Sequence, residues 1–315
     1  MTLRSRWERF WFEPAPPADL GIARILFFTM MIAVYARRDF AGFSEVSSVF
    51  WQPVWPFRVL HLRPPAHAFV WVVQTLWRLS LLFACVGLAS RVATASAAIL
   101  GTYLIGLSSS FGWIDHSDPI LVFGMGILAL SRCADAFSLE RLMRVGRRAP
   151  EPGPSGEYRW PGRMILLVMA CVFFAAGVAK LRHSGVAWVT SGALSTYLIR
   201  GADPLGRSVS APILGLGLRV ARSPVVSMVL AATTLAIEML FPLALFSRWA
   251  RRVLVPASFV MLLAIQALMG PDFARFLIAY VFFPPWHLLT NAAVAARRQG
   301  RVYPVAAAPP DPVAR

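Results

Sequence analysis

The sequence predicts an all-α fold: a polytopic membrane bundle of about eight transmembrane helices, with both termini on the inner side. Three observations support this prediction. Of the 315 residues, 57% are hydrophobic and only 15% are charged, whereas soluble domains are roughly 45–50% apolar and about 25% charged. Eight segments are apolar over close to the roughly 20 residues that a bilayer requires. Arginine is also unevenly distributed between alternate loops.

The predicted helices belong to a single transmembrane domain, residues 1–302. A four-helix half, 15–134, is joined to a second four-helix half, 162–290, by a flexible inner linker rich in proline and glycine, 135–161. Residues 303–315 are predicted to be a disordered tail. The eight predicted spans are 19–36, 67–89, 92–112, 118–134, 162–181, 224–246, 253–269 and 273–290.

The distribution of arginine predicts the orientation. With the N-terminus inside, the inner segments hold 18 arginines and the much longer outer segments hold 10. Inner loops of membrane proteins collect arginine and lysine, so the bias favours N-inside and C-inside. The formal charge of +16 is therefore interpreted as a topology signal, and no nucleic-acid partner is expected. Short loops and abundant arginine favour a bacterial inner membrane.

The cysteines argue against a disulfide framework or a metal site. The chain has only three, Cys85, Cys133 and Cys171, and each lies in an apolar run. No Cys/His spacing typical of a zinc site is present, so no metal is expected.

Two outer segments have unusual compositions. Segment 37–66 carries Phe50, Trp51, Trp55 and Phe57 among prolines, and aromatic side chains favour the membrane interface. Segment 182–223 contains a moderately apolar run that is too short to span a bilayer. That run is expected to form an interfacial or re-entrant helix.

Lys180 is the single lysine of the chain, since 30 of its 31 basic residues are arginine. It closes the fifth predicted helix, near the outer boundary. It could simply extend its ammonium group to the interface, as lysines at helix ends do. Alternatively, burial could keep the amine neutral, and a neutral amine is a base or nucleophile. A guanidinium cannot take that role, because arginine stays protonated.

Three further ionisable positions are candidates for function or structure. His116 lies in the outer turn between the third and fourth helices, on the predicted face of Lys180, where it could shuttle protons. Arg78 and Glu238 lie at similar predicted depths in two helices. They are interpreted as a structural ion pair, with a proton path as the alternative. Arg24, near the inner end of the first helix, is expected to extend to the interface.

A family resemblance coincides with these residues. Segment 174–181 reads Phe-Ala-Ala-Gly-Val-Ala-Lys-Leu and is followed by Trp188 and Gly192. It resembles the lysine motif of vitamin K-dependent gamma-glutamyl carboxylase. Segment 113–117, Trp-Ile-Asp-His-Ser, resembles the Trp-x-Asn-His-Ser turn of the same family, with Asp115 in place of asparagine.

Two other segments look like features of the wider horizontally transferred transmembrane (HTTM) domain family. They are 50–53, Phe-Trp-Gln-Pro, and 237–242, Ile-Glu-Met-Leu-Phe-Pro. The resemblance covers roughly residues 15–290. The individual motifs are short, and their order, spacing and common predicted membrane face strengthen the match.

The resemblance implies a chemistry. Lys180 would be the base that deprotonates a lipid quinol, either reduced vitamin K or menaquinone, and His116 would assist it. Trp113, Gly177 and Trp188 would contribute to binding of the substrate. Oxygen would then convert the quinol to an epoxide, as in a lyase or oxidoreductase of the carboxylase superfamily.

The chain also departs from the carboxylase. Only about 25 residues follow its last predicted helix, so the soluble domain that binds the peptide in the carboxylase is not expected. Quinol oxidation does not need that domain. The residues leave open whether the chain is an enzyme, and two alternatives stand. One is a non-enzymatic membrane partner in peptide maturation or secretion, acting with a peptide substrate or an accessory subunit. The other is a small transporter that uses Arg78 and Glu238.

Overall fold

The computed structural model describes residues 2–112, 117–146, 152–201, 215–270 and 273–292, together with Pro150. The α-helices up to the linker are α1 (Leu3–Phe12), α2 (Pro17–Tyr35), α3 (Trp55–Val59), α4 (His67–Val86), α5 (Ser90–Ser110), α6 (Asp118–Leu130) and α7 (Leu139–Val145). Those that follow are α8 (Trp160–Ser184), α9 (Ala187–Thr190), α10 (Ala193–Gly201), α11 (Leu216–Ala221), α12 (Pro224–Leu240), α13 (Leu243–Phe246), α14 (Arg248–Met269) and α15 (Ala274–Leu277).

Five of these helices, α2, α4, α5, α8 and α14, are long and apolar enough to cross a membrane. Two more, α6 and α12, are apolar but shorter. These seven helices coincide with seven of the eight predicted segments. The predicted all-α membrane bundle is thus confirmed. The prediction of eight long helices is not, because the last segment has a different structure.

The eighth predicted helix, 273–290, is wrong as a continuous element. It consists of α15, a 3₁₀-helix (Ile278–Phe282) and a short helical stretch from 287. Pro284 and Pro285 separate the last two pieces, since proline cannot continue a helix and disfavours helical geometry in the residue before it.

The broken segment nevertheless extends along the full length of α2. Arg275 contacts Asp118 at 3.3 Å beside Tyr35, and His287 contacts Asp19 at 2.9 Å near the start of α2. The two ends of the bundle are called the Tyr35 end and the Asp19 end below. From Asp19 to Tyr35, α2 measures about 24 Å. The broken segment covers this length in the twelve residue steps from Arg275 to His287. That is about 2 Å per residue, the rise of a 3₁₀-helix.

A dense aromatic core holds the first half together. The Trp77 side chain is fully buried, and its indole N–H donates to the carbonyl of Ala97 at 3.0 Å. The Tyr35 and Phe40 rings pack edge-on against it. Gly101 permits this packing, because a Cβ there would lie 2.7 Å from the Trp77 nitrogen.

The segment predicted as a flexible linker, 135–161, is packed against the bundle where the structure describes it. It contains α7 and a 3₁₀-helix (Gly156–Tyr158). The Glu140 carboxylate accepts a hydrogen bond from the backbone N–H of Ser90 at 2.9 Å, at the start of α5. Ser155 forms an antiparallel bridge with Ala15. Proline and glycine content predicted a flexible linker and not these contacts. The predicted tail, 303–315, lies outside the described residues.

The two unusual outer segments contain short helices. In 37–66, the rings of Trp51 and Phe57 pack together, whereas Trp55 and Phe50 are exposed. In 182–223, α9 and α10 lie where the apolar run predicted an interfacial or re-entrant helix. Both pack against α12, and α10 also packs against α14. This second segment covers the region in which Lys180 lies.

Candidate functional site

Lys180 forms an ion pair with Glu238. Its ammonium nitrogen lies 2.5 Å from one carboxylate oxygen of Glu238 and 2.6 Å from the other. The Glu238 side chain is 6% exposed and the Lys180 side chain 21% exposed. Both carboxylate oxygens are therefore engaged by a single donor group. The pair joins two apolar helices, α8 and α12, at a position largely shielded from solvent.

Small side chains allow α8 and α12 to approach at this point. Gly177 is buried against α12, where a Cβ would lie 2.8 Å from the sulfur of Met239 and 3.2 Å from the Cβ of Glu238. One turn further along α8, Lys180 lies on the same face. Gly177, predicted to bind substrate, thus lies at the contact between the two helices.

The pair lies in the last turn of α12, far from the start of that helix. Glu238 is fourteen residues after Pro224, about 21 Å along the helix axis. The sequence predicted Lys180 near the outer boundary, because it closes its own helix. Its contact with Glu238 places the ammonium group beside the last turn of the neighbouring apolar helix α12.

Trp188 completes the surroundings of the lysine. The Lys180 ammonium lies 5.4 Å from the centre of the Trp188 ring, within range of a cation–π interaction. The indole N–H of Trp188 is buried and has no hydrogen-bond partner among the described residues. Buried polar groups are normally hydrogen-bonded. The site therefore holds a base or acid, a carboxylate and an available donor close together.

The predicted ion pair between Arg78 and Glu238 is wrong. Glu238 pairs with Lys180, and Arg78 instead donates to the backbone carbonyl of Arg38 at 2.7 Å. The two residues were paired because their predicted depths in the membrane are similar. Depth alone, however, does not specify which helices face each other. Arg78 is on α4, which packs with α2 and α5.

Arg24 also differs from expectation. It was expected to extend to the interface, but its side chain is fully buried. It donates to the carbonyls of Cys133 and Phe137, at 3.1 and 2.7 Å, in the segment after α6. Backbone carbonyls thus accept from both terminal nitrogens of this buried guanidinium.

Two predicted site residues, His116 and Trp113, lie outside the described residues. The predicted proximity of His116 to Lys180 therefore stays a prediction. Among the residues that the structure describes, no group of three histidine, cysteine or acidic side chains could hold a metal ion. The chemistry available to the described part of the site is that of an amine, a carboxylate and an indole N–H.

The fold defines an integral membrane protein built from a bundle of apolar helices. The HTTM domain family matches residues 12–283, which is most of the chain. The chain therefore belongs to the HTTM domain family, and the predicted membership is confirmed. No curated protein and no protein of solved structure is significantly similar to the chain.

Sequence reasoning identified Glu238 as a costly buried charge but missed its partner. Two signals could have found it. The segment containing Glu238 had already been singled out as a family feature, as had the segment containing Lys180. Both charges also lie close to small or flexible side chains, Gly177 and Met239, that allow two helices to approach.

Proposed function

We propose that this HTTM protein removes a proton from a reduced lipid naphthoquinone, either vitamin K or menaquinone, with the Lys180 amine as the base. The observation that carries the proposal is the contact between Lys180 and Glu238, beside the unpaired indole N–H of Trp188. Inside a membrane protein, an ionisable pair of this kind is by default a functional hypothesis.

The residues fit a naphthoquinol. Such a molecule offers ring oxygens that accept hydrogen bonds, a phenolic proton and a flat apolar ring. The Trp188 N–H supplies a donor to one oxygen, and the indole face supplies an aromatic contact. When bound, the quinol supplies the two electrons that the carboxylase resemblance assigns to oxygen activation. Gly177 keeps α8 close to α12, and so keeps the amine beside Glu238.

Glu238 has a defined part in this chemistry. A protonated amine has no free electron pair, so Lys180 must lose a proton before it can act as a base. The adjacent carboxylate can accept that proton at 2.5–2.6 Å. Shielding from water favours this exchange, because it converts two buried charges into two neutral groups. Lys180 can then take the phenolic proton. His116 and Trp113 keep their proposed roles, as the assisting proton carrier and a substrate contact.

The test is an activity assay of the purified protein with reduced menaquinone or vitamin K and oxygen. Formation of the epoxide by the wild type and its loss in Lys180→Ala is the expected result. Arg78→Gln is the control, because Arg78 donates to the Arg38 carbonyl in α4's half of the bundle and does not contact Glu238. Epoxide formed equally by Lys180→Ala would contradict the assignment of Lys180.

A second candidate is a non-enzymatic role as a membrane partner in peptide maturation or secretion. One observation favours it: both oxygens of Glu238 contact the ammonium, as expected for an ion pair that fastens α8 to α12. In that case Lys180→Arg preserves function, since a guanidinium also binds a carboxylate. The transporter alternative was based on Arg78 acting together with Glu238, and these two residues do not contact each other.

We also propose eight crossings of a bacterial inner membrane, with both termini inside. The broken segment supports this, because its contacts with Asp118 and Asp19 extend over the length of α2. An even number of crossings returns the chain to its starting side, and the arginine bias assigns that side to the interior. Reporter fusions after residue 64 and after residue 315 test the topology. An outer signal at 64 and an inner signal at 315 are expected.

A further inference from the structure

A second site is indicated at the Asp19 end of the bundle, far from Lys180. A cavity of about 750 Å³ lies between α2, the start of α8, α14 and the broken segment. Along α8, Arg163 at this cavity is about 25 Å from Lys180. Ligand pockets typically measure about 300–1,000 Å³, so the volume is sufficient for part of a small molecule or lipid.

One part of the cavity wall is apolar. It is formed by Met30 of α2, Val255 and Phe259 of α14, and Leu277 and Val281 of the broken segment. Met30 and Phe259 are exposed on their helices. Because α2 and α14 do not pack extensively against each other, the space between them faces the apolar phase in which these helices lie. An acyl chain can therefore enter from the side.

The other part of the wall is strongly basic. It carries four arginines, two from the start of α8 and two from the first turn of α14: Arg159, Arg163, Arg251 and Arg252. The start of a helix adds partial positive charge.

Acidic groups do not balance these arginines. Glu13 lies 3.5 Å from Arg163 with half of its side chain exposed, and Asp19 is paired with His287 at 2.9 Å. The cavity thus combines a cationic end with an apolar wall. That combination is complementary to an anionic amphiphile.

We propose that this cavity binds one anionic phospholipid of the surrounding bilayer. Its phosphate lies against the arginines and one acyl chain lies along Phe259 and Val281. Guanidinium groups bind phosphate oxygens through charge-assisted, often bidentate hydrogen bonds. A free phosphate ion would leave the apolar wall uncovered. A zwitterionic lipid would bring its own cation towards four arginines. The proposal does not depend on the function assigned to Lys180.

The experiment uses the full chain and native mass spectrometry from micelles that contain either phosphatidylglycerol or phosphatidylcholine. One retained phosphatidylglycerol and little phosphatidylcholine are expected. Arg252→Gln is expected to weaken retention about fivefold, as for the loss of one arginine that faces a phosphate. Arg248→Gln is the matched control. Both arginines lie in the first turn of α14 and stack on Trp249, but Arg248 does not line the cavity.

A second variant tests the apolar wall without changing the charge. Phe259→Ser is expected to lower retention of the lipid while the arginines remain. Displacement of the lipid by millimolar inorganic phosphate, with no effect of Phe259→Ser, would indicate a simple anion site and overturn the proposal. Equal retention of the two lipids, or equal losses in Arg248→Gln and Arg252→Gln, would overturn it too.

Discussion

Arg24 and Arg78, in the first half of the bundle, and Lys180, in the second half, are held by different kinds of group. In the first half, Arg24 and Arg78 donate to backbone carbonyls, which cannot exchange protons. In the second half, Lys180 pairs with Glu238, a group that can. An arginine held by carbonyls is a fixed structural charge. A lysine held by a carboxylate is a pair in which a proton can move, and the proposed role of Lys180 as a base rests on this difference.

Side-chain burial also differs between a helix of the first half, α2, and a helix of the second half, α12. Ten residues of α2 are buried, against three in α12, and one of those three is Glu238. Aromatic rings around Trp77 fill the centre of the first half, whereas the lysine site lies in the second half and the arginine-lined cavity lies between α2 and the second half. Because of its dense aromatic centre, the first half is called the scaffold half below.

The largest expected effect is on the ion pair. Lys180→Met or Glu238→Gln alone should each lower the free energy of unfolding by about 3 kcal/mol, because each leaves one partner of a buried pair uncompensated. The double variant should lose clearly less unfolding free energy than the sum of the losses in the two single variants. Unfolding in detergent by a denaturant titration measures these energies.

The control for this cycle combines Arg78→Met with Glu238→Gln. These residues do not contact each other, so their effects should add to within about 0.5 kcal/mol. If the coupling energy between Arg78 and Glu238 equals that between Lys180 and Glu238, the assignment of Lys180 as the partner of Glu238 is incorrect.

The next effect concerns the scaffold half. Arg24→Met should destabilise the protein by about 2 kcal/mol, since it leaves the carbonyls of Cys133 and Phe137 without this donor. It should leave quinol oxidation per folded molecule unchanged. The exposed Arg37→Met is the control and should change stability by less than about 0.5 kcal/mol. Loss of activity in folded Arg24→Met would break the distinction between the two halves.

A smaller effect is expected at the helix contact beside the site. Gly177→Ala places a Cβ 2.8 Å from the Met239 sulfur, and overpacking of this kind costs about 1–3 kcal/mol. The displaced α12 should also reduce quinol oxidation. Gly126→Ala in α6 is the control, because its added Cβ meets nothing within 4 Å. If both substitutions have the same effect, the tight contact at Gly177 has no special role.

The smallest effect is at the linker. The hydrogen bond from the Ser90 backbone N–H lowers the pKa of Glu140 below its usual 4.5. This carboxylate therefore stabilises the fold above about pH 4.5, and the contribution is lost as the pH falls through the lowered pKa. Glu140→Gln should cost less than about 1 kcal/mol at pH 7 and nothing at low pH. Unfolding at pH 7 and pH 3, with exposed Glu8→Gln as the control, measures the difference.

Hydropathy predicted seven of the helices because apolar length is a local property. It did not predict the broken segment 273–290, where Pro284 and Pro285 override apolar composition. Lys180 stood out in the sequence by composition and motif. Its partner did not, because Glu238 is 58 residues away and pairing depends on which helices face each other. The packing of 135–161 was missed for the same reason.

The central claim is that Lys180 acts as a base rather than only as a cation. Lys180→Arg tests it most directly, because arginine can keep the ion pair with Glu238 but cannot give up its proton. The measurement is epoxide formation from reduced menaquinone or vitamin K by this variant, after its unfolding energy has been shown to match that of the wild type. A folded protein without activity is the expected result. Wild-type activity in folded Lys180→Arg would contradict it.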